Sequence, residues 1–349
     1  MRALISLCLL FAASRLSAQD PAFSQYYAAP LYLNPAFAGS SPDHRLIANH
    51  RNQWPAAGRG FQTYAMSYDA NVPSLRSGFG LMLMTDKAGS ASLRSTVLHG
   101  IYSYKLKLGD SWVIATGLDF GYGSRSIEMN KLIFGDQLQF DTNGAPSDDP
   151  AASRLGMARY FDFGSGLLIY NKTFWMGASI NHMNHPNRSM LGEEALIPVA
   201  TSIHGGLRIP LYNGPFHREA IPVLSPSFVY KRQGRFEQLD VGAYLLYDPL
   251  VLGVWYRGIP FNKGTGSNIT QDAVVVVLGF QFDRFEVSYS YDMTVSKLGP
   301  LAGGAHEIAL KYKAPYSVKS RRKKEKLIPC PTFLGHQETT HKARKASDK

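Results

Sequence analysis

Three histidines lie close enough in the sequence to suggest a metal site. His182 and His185 flank the run His182-Met183-Asn184-His185, and His204 follows further along. Zinc sites usually combine such a spacing with a helix or with cysteine partners, and neither accompanies these residues. We interpret them as interface and loop histidines, so the sequence predicts no metal site here.

An acidic stretch begins like a calcium-binding loop. Asp141-Thr142-Asn143-Gly144 is followed by Asp148 and Asp149. The glutamate that closes such a loop at a fixed distance is missing. Because Asn-Gly favours a tight turn, we predict a turn in a polar loop without a bound ion.

A hydrolase would need a serine, a histidine and a group that orients the histidine. The nearest candidates are Ser288 or Ser290 on one predicted strand and His306-Glu307 on another. Neighbouring residues of a strand point to opposite faces, so Glu307 cannot orient His306. The chain also has no P-loop, dinucleotide fingerprint or Cys-x-x-Cys motif. We predict a non-enzymatic protein with no catalytic residues and no cofactor.

Charge is concentrated at the end of the chain. The formal net charge is +11, of which residues 314–349 contribute +7 and the first eighteen residues +2. The body is therefore almost neutral and lacks the basic surface that nucleic-acid binding requires, so no nucleic acid is predicted. The tail itself combines a basic run with a short apolar anchor, Ile328 to Phe333, and is either a solvated segment or a docking segment.

Residues 1–18 have the features of a secretory signal peptide. Arg2 precedes an apolar core, and Leu16-Ser17-Ala18 is a plausible cleavage site. Only Cys330 remains after cleavage, which excludes an intrachain disulfide. The next segment, 19–43, contains Gln19 to Gly39, which is too rich in Pro, Asn and small residues for a helix or central strand. Its aromatic residues should nevertheless pack against something.

The body, 44–313, is a series of runs that alternate between apolar and polar or small residues. In one run Trp112, Leu118 and Phe120 share a face, and Val113 and Gly117 share the other. Runs of this length fit the 9–11 residues that a tilted strand needs to cross a bilayer, and aromatic residues recur near their ends. We predict an all-β fold, an antiparallel transmembrane β-barrel of fourteen strands at approximately 44–53, 59–70, 77–86, 95–107, 111–123, 155–170, 173–183, 201–210, 221–231, 236–247, 250–258, 272–282, 285–292 and 305–313.

The predicted connections alternate in length. Tight turns such as Gly109-Asp110 and Asp248-Pro249 follow even-numbered strands, and long loops such as 124–154 follow odd-numbered ones. Outer-membrane barrels have short periplasmic turns and longer outer loops, so both chain ends are predicted to be periplasmic. Closure requires strand 14 to pair with strand 1, since lipid-facing strands cannot leave backbone groups unpaired. Abundant inward glycines are interpreted as positions where strands bend.

Several motifs together resemble the PorP/SprF family of outer-membrane proteins tied to the type IX secretion system of Bacteroidetes-type bacteria. The resemblance is strongest over Gln19 to Gly39 and continues in Arg51-Asn52-Gln53-Trp54 and Tyr289-Ser290-Tyr291-Asp292. It ends in the basic run before Ile328-Pro329-Cys330-Pro331. The motifs are specific through their order and spacing.

The resemblance implies an integral outer-membrane barrel that supports the secretion or surface attachment of large adhesins and other substrates carrying C-terminal sorting domains. In gliding species these substrates serve motility. The implied partners are outer-membrane lipids, the secretion machinery, periplasmic peptidoglycan-associated lipoproteins and the secreted adhesin. We predict partner binding by residues of the entry segment and of the 314–349 tail, namely Phe23, Tyr26, Tyr27, Leu31, Asn34, Pro35, Arg321, Arg322, Lys323, Lys324, Ile328, Pro329, Cys330 and Pro331.

Two alternatives stay open. A fourteen-stranded barrel with an N-terminal plug also describes channels for hydrophobic small molecules such as fatty acids, and Val275 and Val277 on the supposed inner face of strand 12 fit that function. A passive structural barrel fits the tail but gives the outer loops no task. Residues 19–43 are predicted either to plug the barrel, entering from the periplasm, or to form a platform under its rim.

Overall fold

Each strand pairs with the strands that precede and follow it in the sequence, and the sheet closes into an antiparallel barrel of fourteen strands. The computed structural model describes residues 20–57, 60–89, 92–138, 147–211, 221–258, 273–295 and 303–314. The signal peptide, Asp141 to Gly144 and the predicted docking residues Arg321, Arg322, Lys323, Lys324, Ile328, Pro329, Cys330 and Pro331 lie outside this range.

The strands begin and end within three residues of the predicted positions. They are β1 (His44–Gln53), β2 (Phe61–Val72), β3 (Ser77–Ala88), β4 (Leu93–Leu108), β5 (Trp112–Ser126), β6 (Ala158–Tyr170), β7 (Phe174–Asn181), β8 (Ala200–Leu207), β9 (Val223–Gln233), β10 (Phe236–Tyr247), β11 (Leu250–Arg257), β12 (Ala273–Phe282), β13 (Phe285–Thr294) and β14 (Ala305–Ala314). The pair Ile209–Pro210 continues β8 past a break at Arg208 and contacts the same neighbour, β9.

Closure occurs between the first strand and the last. β1 pairs with β14 from His44 opposite Ala314 to Gln53 opposite Ala305. This confirms the predicted pairing, including the assignment of β1, which has the least apolar sequence of the set. In the closed ring every strand has a paired strand on each side, so the sheet has no free edge, as a lipid-facing sheet requires.

Side chains alternate between an apolar outer surface and a filled interior. On β5, Leu118, Phe120 and Tyr122 are exposed on the outside, whereas Val113 and Ala115 are buried inside. An outward apolar band with aromatic residues is the surface that contacts lipid in an outer-membrane barrel. Val275 and Val277 face inward and are buried, as predicted.

The two ends of the barrel differ in the length of their connections. Tight turns 109–111, 171–173, 248–249 and 283–284 form one end, which we call the turn end. The strands that are followed by long connections end at the other, which we call the loop end, at Ser126, Asn181, Arg257 and Thr294. The turn end also holds the start of β1 and the end of β14. Two connections depart from the rule: β8 and β9, which meet the turn end, are joined by a long connection, and the connection 234–235 at the loop end is short.

Helices are short. The α-helices are Pro30–Leu33 and Pro150–Arg154, and the 3₁₀ turns are Tyr26–Ala28, Pro35–Phe37, Pro55–Ala57, Pro73–Leu75, Met129–Lys131 and Gly135–Leu138. Among the described residues, no helix has the length and apolar character needed to cross a bilayer.

The entry segment, residues 20–43, occupies the barrel interior. Its first residue, Asp20, contacts His182 and Gln233 at the loop end, whereas Ser41 leads into β1 at the turn end. The segment therefore runs the length of the lumen. We predicted both chain ends on the side of the tight turns; the β14 end lies there, but the beginning of the entry segment does not.

Candidate functional site

The contact surface between the entry segment and the barrel wall is the candidate site. The segment folds as three short turns because Pro30 and Pro35 each start a helical turn, where a missing N–H costs nothing. Asn34 caps the turn that begins at Pro35, since its Oδ1 accepts from Ala36 N at 2.8 Å. The Pro and Asn content that excluded a strand thus produces a compact insert.

All the predicted partner-binding residues of the entry segment are buried in the lumen. Tyr26 packs edge-on against Trp255 at 5.6 Å between ring centroids, and Tyr27 packs against Tyr244 at 4.9 Å. The segment's aromatics therefore pack on the lumen wall. The full set of buried predicted residues is Phe23, Tyr26, Tyr27, Leu31, Asn34 and Pro35. Their role in binding a partner stays a prediction.

Asn34 attaches the segment to the inner wall. Its amide nitrogen donates to the backbone carbonyls of Leu167 on β6 and Ala178 on β7, at 3.0 and 3.1 Å. The Nε2 atom of His204 lies 3.3 Å from the same nitrogen. His204 is thus a buried residue of the inner wall that contacts the entry segment.

Inward glycines make room for this attachment. A Cβ at Gly117 would overlap the backbone of Pro35 and Ala36, and one at Gly166 would overlap the Asn34 side chain. We had interpreted inward glycines as bending positions. At these two positions the structure gives a different reason, since the entry segment approaches the strands too closely for any side chain.

Polar side chains hold the segment near the turn end. Ser103 Oγ donates to the carbonyl of Ala38 at 2.6 Å, and Gly39 N donates to Asp69 Oδ2 at 2.7 Å. Asp69 in turn pairs with Arg45 at 2.8 Å. Both charged groups are buried, so each compensates the charge of the other.

Ser24 and Gln25 are held by the wall nearer the loop end. The Glu307 carboxylate accepts hydrogen bonds from Ser24 N at 2.7 Å and from Gln25 N at 3.2 Å. Ser288 Oγ also donates to Gln25 Oε1 at 2.6 Å. One carboxylate on β14 therefore fixes two consecutive amides of the segment.

A network of buried charges surrounds Ser24. Asp292 accepts from Arg51 at 2.7 Å and from Arg257 at 2.9 Å. Arg51 also reaches Glu307 at 3.2 Å, and Arg257 lies 3.4 Å from Asp240. Because buried charges are costly without partners, this network stabilises the wall only in a well-defined arrangement.

His182 anchors the first described residue at the loop end. Its Nε2 lies 2.6 Å from Asp20 Oδ2, and its Nδ1 lies 2.8 Å from Asp162 Oδ2. Burial alone would lower the pKa of His182, but its hydrogen bonds to Asp162 and Asp20 raise it to about 10. The imidazole is therefore protonated at neutral pH and bridges two carboxylates.

A cavity of about 550 Å³ lies above the segment toward the loop end. Asp20, Pro21 and Tyr32 contribute to its floor. Its wall combines cationic, anionic and apolar side chains, including His99, Asp119, Arg125, Tyr160 and Lys231. The cavity therefore has a mixed polar and apolar lining and the size of a ligand pocket.

The candidate catalytic residues His306 and Glu307 lie on opposite faces of β14, as neighbouring residues of a strand do. His306 faces outward to the Tyr289 hydroxyl at 2.7 Å, and Glu307 faces inward. Opposite orientation confirms that Glu307 does not orient His306. In the described part of the chain, no group of three or more His, Cys, Asp or Glu could hold a metal ion.

The charged groups that hold the segment were missed by the sequence analysis. They are Arg45, Arg51, Asp69, Asp240, Arg257, Asp292 and Glu307, each on a barrel strand and buried. The detectable signal was a charge at an inward position of an alternating strand. Such positions are expensive unless they have a partner, so their presence indicated a filled lumen.

One protein family matches most of the chain. Residues 16–312 match the family "Type IX secretion system membrane protein PorP/SprF". No curated protein matches the chain.

Several solved outer-membrane barrels are similar in fold at low identity. A TodX deletion mutant described as a monoaromatic hydrocarbon channel has a TM-score of 0.44 and 12% identity, covering 82% of this chain and 94% of its own. The Pseudomonas putida toluene transporter TodX gives 0.42 and 12%, covering 86% and 96%. Omp33 of Acinetobacter baumannii gives 0.39 and 7%, covering 80% and 100%.

Proposed function

The chain belongs to the PorP/SprF family of type IX secretion system membrane proteins, and from this premise we propose that it is a non-enzymatic outer-membrane component of that system. The family match over residues 16–312 carries the proposal. In this function the barrel supports the secretion or surface attachment of substrates with C-terminal sorting domains, such as large adhesins. In a gliding species these would be motility adhesins.

The filled lumen supports an accessory role rather than free diffusion through the barrel. The entry segment is held at both ends by buried charges, His182 at one and Asp69 at the other. A fourteen-stranded barrel is wide enough to leak unless something fills it. We propose that the segment seals the lumen while the outer surface, loops and tail contact the secretion machinery.

The orientation in this proposal places the turn end in the periplasm. Short turns face the periplasm in outer-membrane barrels. The chain continues past Ala314 at that end, which gives the basic residues 315–349 access to periplasmic peptidoglycan-associated lipoproteins. Arg321 to Lys324 and Ile328 to Pro331 are the residues we assign to this contact.

A pull-down from mildly solubilised outer membranes tests the proposal. The full chain is compared with a chain that ends at Ala314, where β14 ends. We expect secretion-system lipoproteins or a giant adhesin with the full chain and their loss on truncation. Recovery of these partners by both chains would assign the contact to the barrel or the entry segment. Recovery of no secretion component by either chain would contradict the proposed function.

The alternative of a channel for hydrophobic small molecules has one observation in its favour. A second cavity between the entry segment and the wall is lined by aromatic residues, including Tyr27, Trp175, Tyr244 and Trp255. Its volume is about 40 Å³, far below the 300–1,000 Å³ of typical ligand pockets. Transport by this route would require the entry segment to move, so we rank it second; lipid or fatty acid retained by the purified barrel inside the lumen would favour it.

A further inference from the structure

The outer wall at the loop end of β3–β6 carries a basic cluster that the proposed function does not use. Lys87 on β3 lies directly opposite Arg94 on β4, and Ser124 on β5 lies opposite Arg159 on β6. Lys131 lies just beyond β5, and its Nζ donates to Ser92 Oγ, just before β4, at 2.9 Å. We call Lys87, Arg94, Lys131, Arg159 and the carboxylate Glu128 the rim cluster.

Positive charge dominates the rim cluster. Glu128 pairs with Lys131 at 2.6 Å and with Arg94 at 4.0 Å. Its hydrogen bond to Lys131 and the charges of Arg94 and Lys87 lower the pKa of Glu128. Three cations, Lys131, Arg94 and Lys87, therefore surround this one carboxylate, and within the described residues Lys87 and Arg159 have no ion pair of their own. The cluster has an excess of positive charge that an anion would neutralise.

Lys87 also has an aromatic neighbour on the outer wall. Its Nζ lies 5.9 Å from the centroid of the exposed Tyr64 ring, and His50 stacks on the same ring at 4.5 Å. Aromatic residues beside lysine mark the boundary between the lipid headgroups and the acyl chains. The rim cluster is thus at the depth of the headgroups.

Hydroxyl groups lie directly below the cations. Thr85 and Thr96 are hydrogen-bonded to each other at 3.1 Å, and Ser124 is opposite Thr96. Leu83, Leu98 and Tyr122 follow further down, all exposed on the outer wall. From rim to mid-barrel, the surface therefore changes from cationic to hydroxyl to apolar. A lipid with an anionic headgroup has the same order of chemistry along its length.

A shallow groove continues the apolar part of this surface. Gly100 faces outward, and a Cβ there would meet only the carbonyl oxygen of Phe120, at 4.0 Å. Leu81, Leu98 and Phe120, all exposed, stand beside it. The missing side chain leaves a depression in the wall that an acyl chain can fill.

We propose that the rim cluster and the Gly100 groove form a binding site for a phosphorylated glycolipid of the lipid A type in the outer leaflet. The inference rests on the proposed function for the orientation that places the loop end outside the cell. Phosphate is the group that clustered Lys and Arg side chains bind best through charge-assisted hydrogen bonds. Lipid A carries phosphates beside several acyl chains, which matches a basic rim above an apolar groove.

Lipid A that remains bound to the purified protein provides the test. The wild-type chain and the triple variant Lys87→Ala/Arg94→Ala/Lys131→Ala are purified in a mild detergent, and bound lipid A is measured by mass spectrometry. We expect the triple variant to retain at least about tenfold less lipid A, because it lacks three of the four cations that would bind the lipid phosphates. A matched control, Lys107→Ala/Lys172→Ala/Arg284→Ala, removes three cations at the turn end and should retain the wild-type amount.

Two further variants separate the proposal from a structural role of the cluster. Glu128→Gln removes the one carboxylate and should increase lipid A retention, whereas a purely structural ion pair would lose stability without gaining lipid. Gly100→Leu fills the groove and should reduce retention several-fold without affecting the folded barrel. Equal retention by the triple variant and its control would overturn the proposal.

The source of the phosphate is resolved by competition. Added inorganic phosphate and phosphatidylglycerol vesicles should each displace bound lipid A only weakly. Displacement by a low concentration of inorganic phosphate would overturn the assignment to a glycolipid. Displacement by phosphatidylglycerol that is as effective as displacement by added lipid A would overturn it too. Because the measurement uses purified protein, its outcome is independent of the pull-down. Lipid A binding without secretion partners would leave the site intact and contradict only the proposed function.

Discussion

Glu307 shows how a single inward carboxylate organises the candidate site. It accepts two consecutive amides of the entry segment and lies beside Arg51. A carboxylate that accepts backbone N–H groups forms strong, charge-assisted bonds in a dry environment. The attachment of the segment therefore depends on the charge of this residue.

The Glu307→Gln variant should loosen the entry segment. Removing one partner of a buried charge network leaves Arg51 undercompensated, which costs about 3 kcal/mol. Denaturant unfolding in detergent micelles measures the change. The matched control Glu237→Gln removes a carboxylate that meets the exposed Arg232 at 3.6 Å and should cost less than about 1 kcal/mol. Equal effects of the two variants would show that Glu307 does not hold the segment.

His182 gives the loop-end attachment a dependence on pH. A group whose pKa is raised by folding stabilises the fold fully below its unfolded pKa and loses this contribution as pH rises through the folded value. For His182 the window runs from 6.5 to about 10. We expect the free energy of unfolding to fall as pH rises across this range, and we expect a smaller fall in the His182→Gln variant. The control His306→Gln removes a histidine from the outer wall and should keep the wild-type pH dependence.

At the scale of elements, strands and segment are matched in shape. Short turns starting at Pro30 and Pro35 present backbone to the wall, and wall strands present glycines at the same level. Close packing of this kind leaves no room for an added methyl group. The segment and the strands β5 to β7 therefore form one packed unit.

Gly117→Val tests this fit. A valine on β5 would push Pro35 and Ala36 off the wall, and we expect a loss of about 2 kcal/mol or more together with faster proteolysis of the segment. Gly135→Val is the control, because a Cβ at Gly135 meets nothing within 4 Å. If both variants resist proteolysis like the wild type, the close approach at Gly117 does not control the position of the segment.

For the whole molecule, the proposed role of the entry segment is to close the barrel. The segment runs from Asp20 at the loop end to β1 at the turn end and fills the space between. Without the entry segment, a barrel of fourteen strands is wide enough to pass large solutes. Sealing is therefore a property of the assembled molecule, not of any single strand.

Deletion of residues 20–39 should make the outer membrane permeable to a bulky antibiotic. Uptake or growth inhibition in cells that express the variant measures the effect, with heat-modifiable gel mobility as the check that the barrel has assembled. The Gly135→Val chain serves as a control with an intact segment. Unchanged permeability with a correctly assembled barrel would contradict a sealing role.

The fourteen strands, their faces and the closing pair β1–β14 could all be predicted from the order of residues along the chain, and the structure confirms them. The signal peptide stays a prediction. The confirmed features depend on local alternation and connection length, and alternation survives folding because each side chain faces either lipid or lumen. It also excluded His306-Glu307 as a catalytic pair for the same reason. The family resemblance, carried by motif order, was confirmed by the match over residues 16–312.

The contents of the lumen and the contacts that hold them became apparent only from the folded barrel. The contacts of Ser24 with Glu307 and of Asn34 with Leu167 join residues far apart in the chain, and no local pattern specifies such pairs. The same holds for the direction of the entry segment and for the outward alignment of Lys87 with Arg94 across two strands. Each depends on barrel closure, since strand register fixes which distant side chains meet on one face.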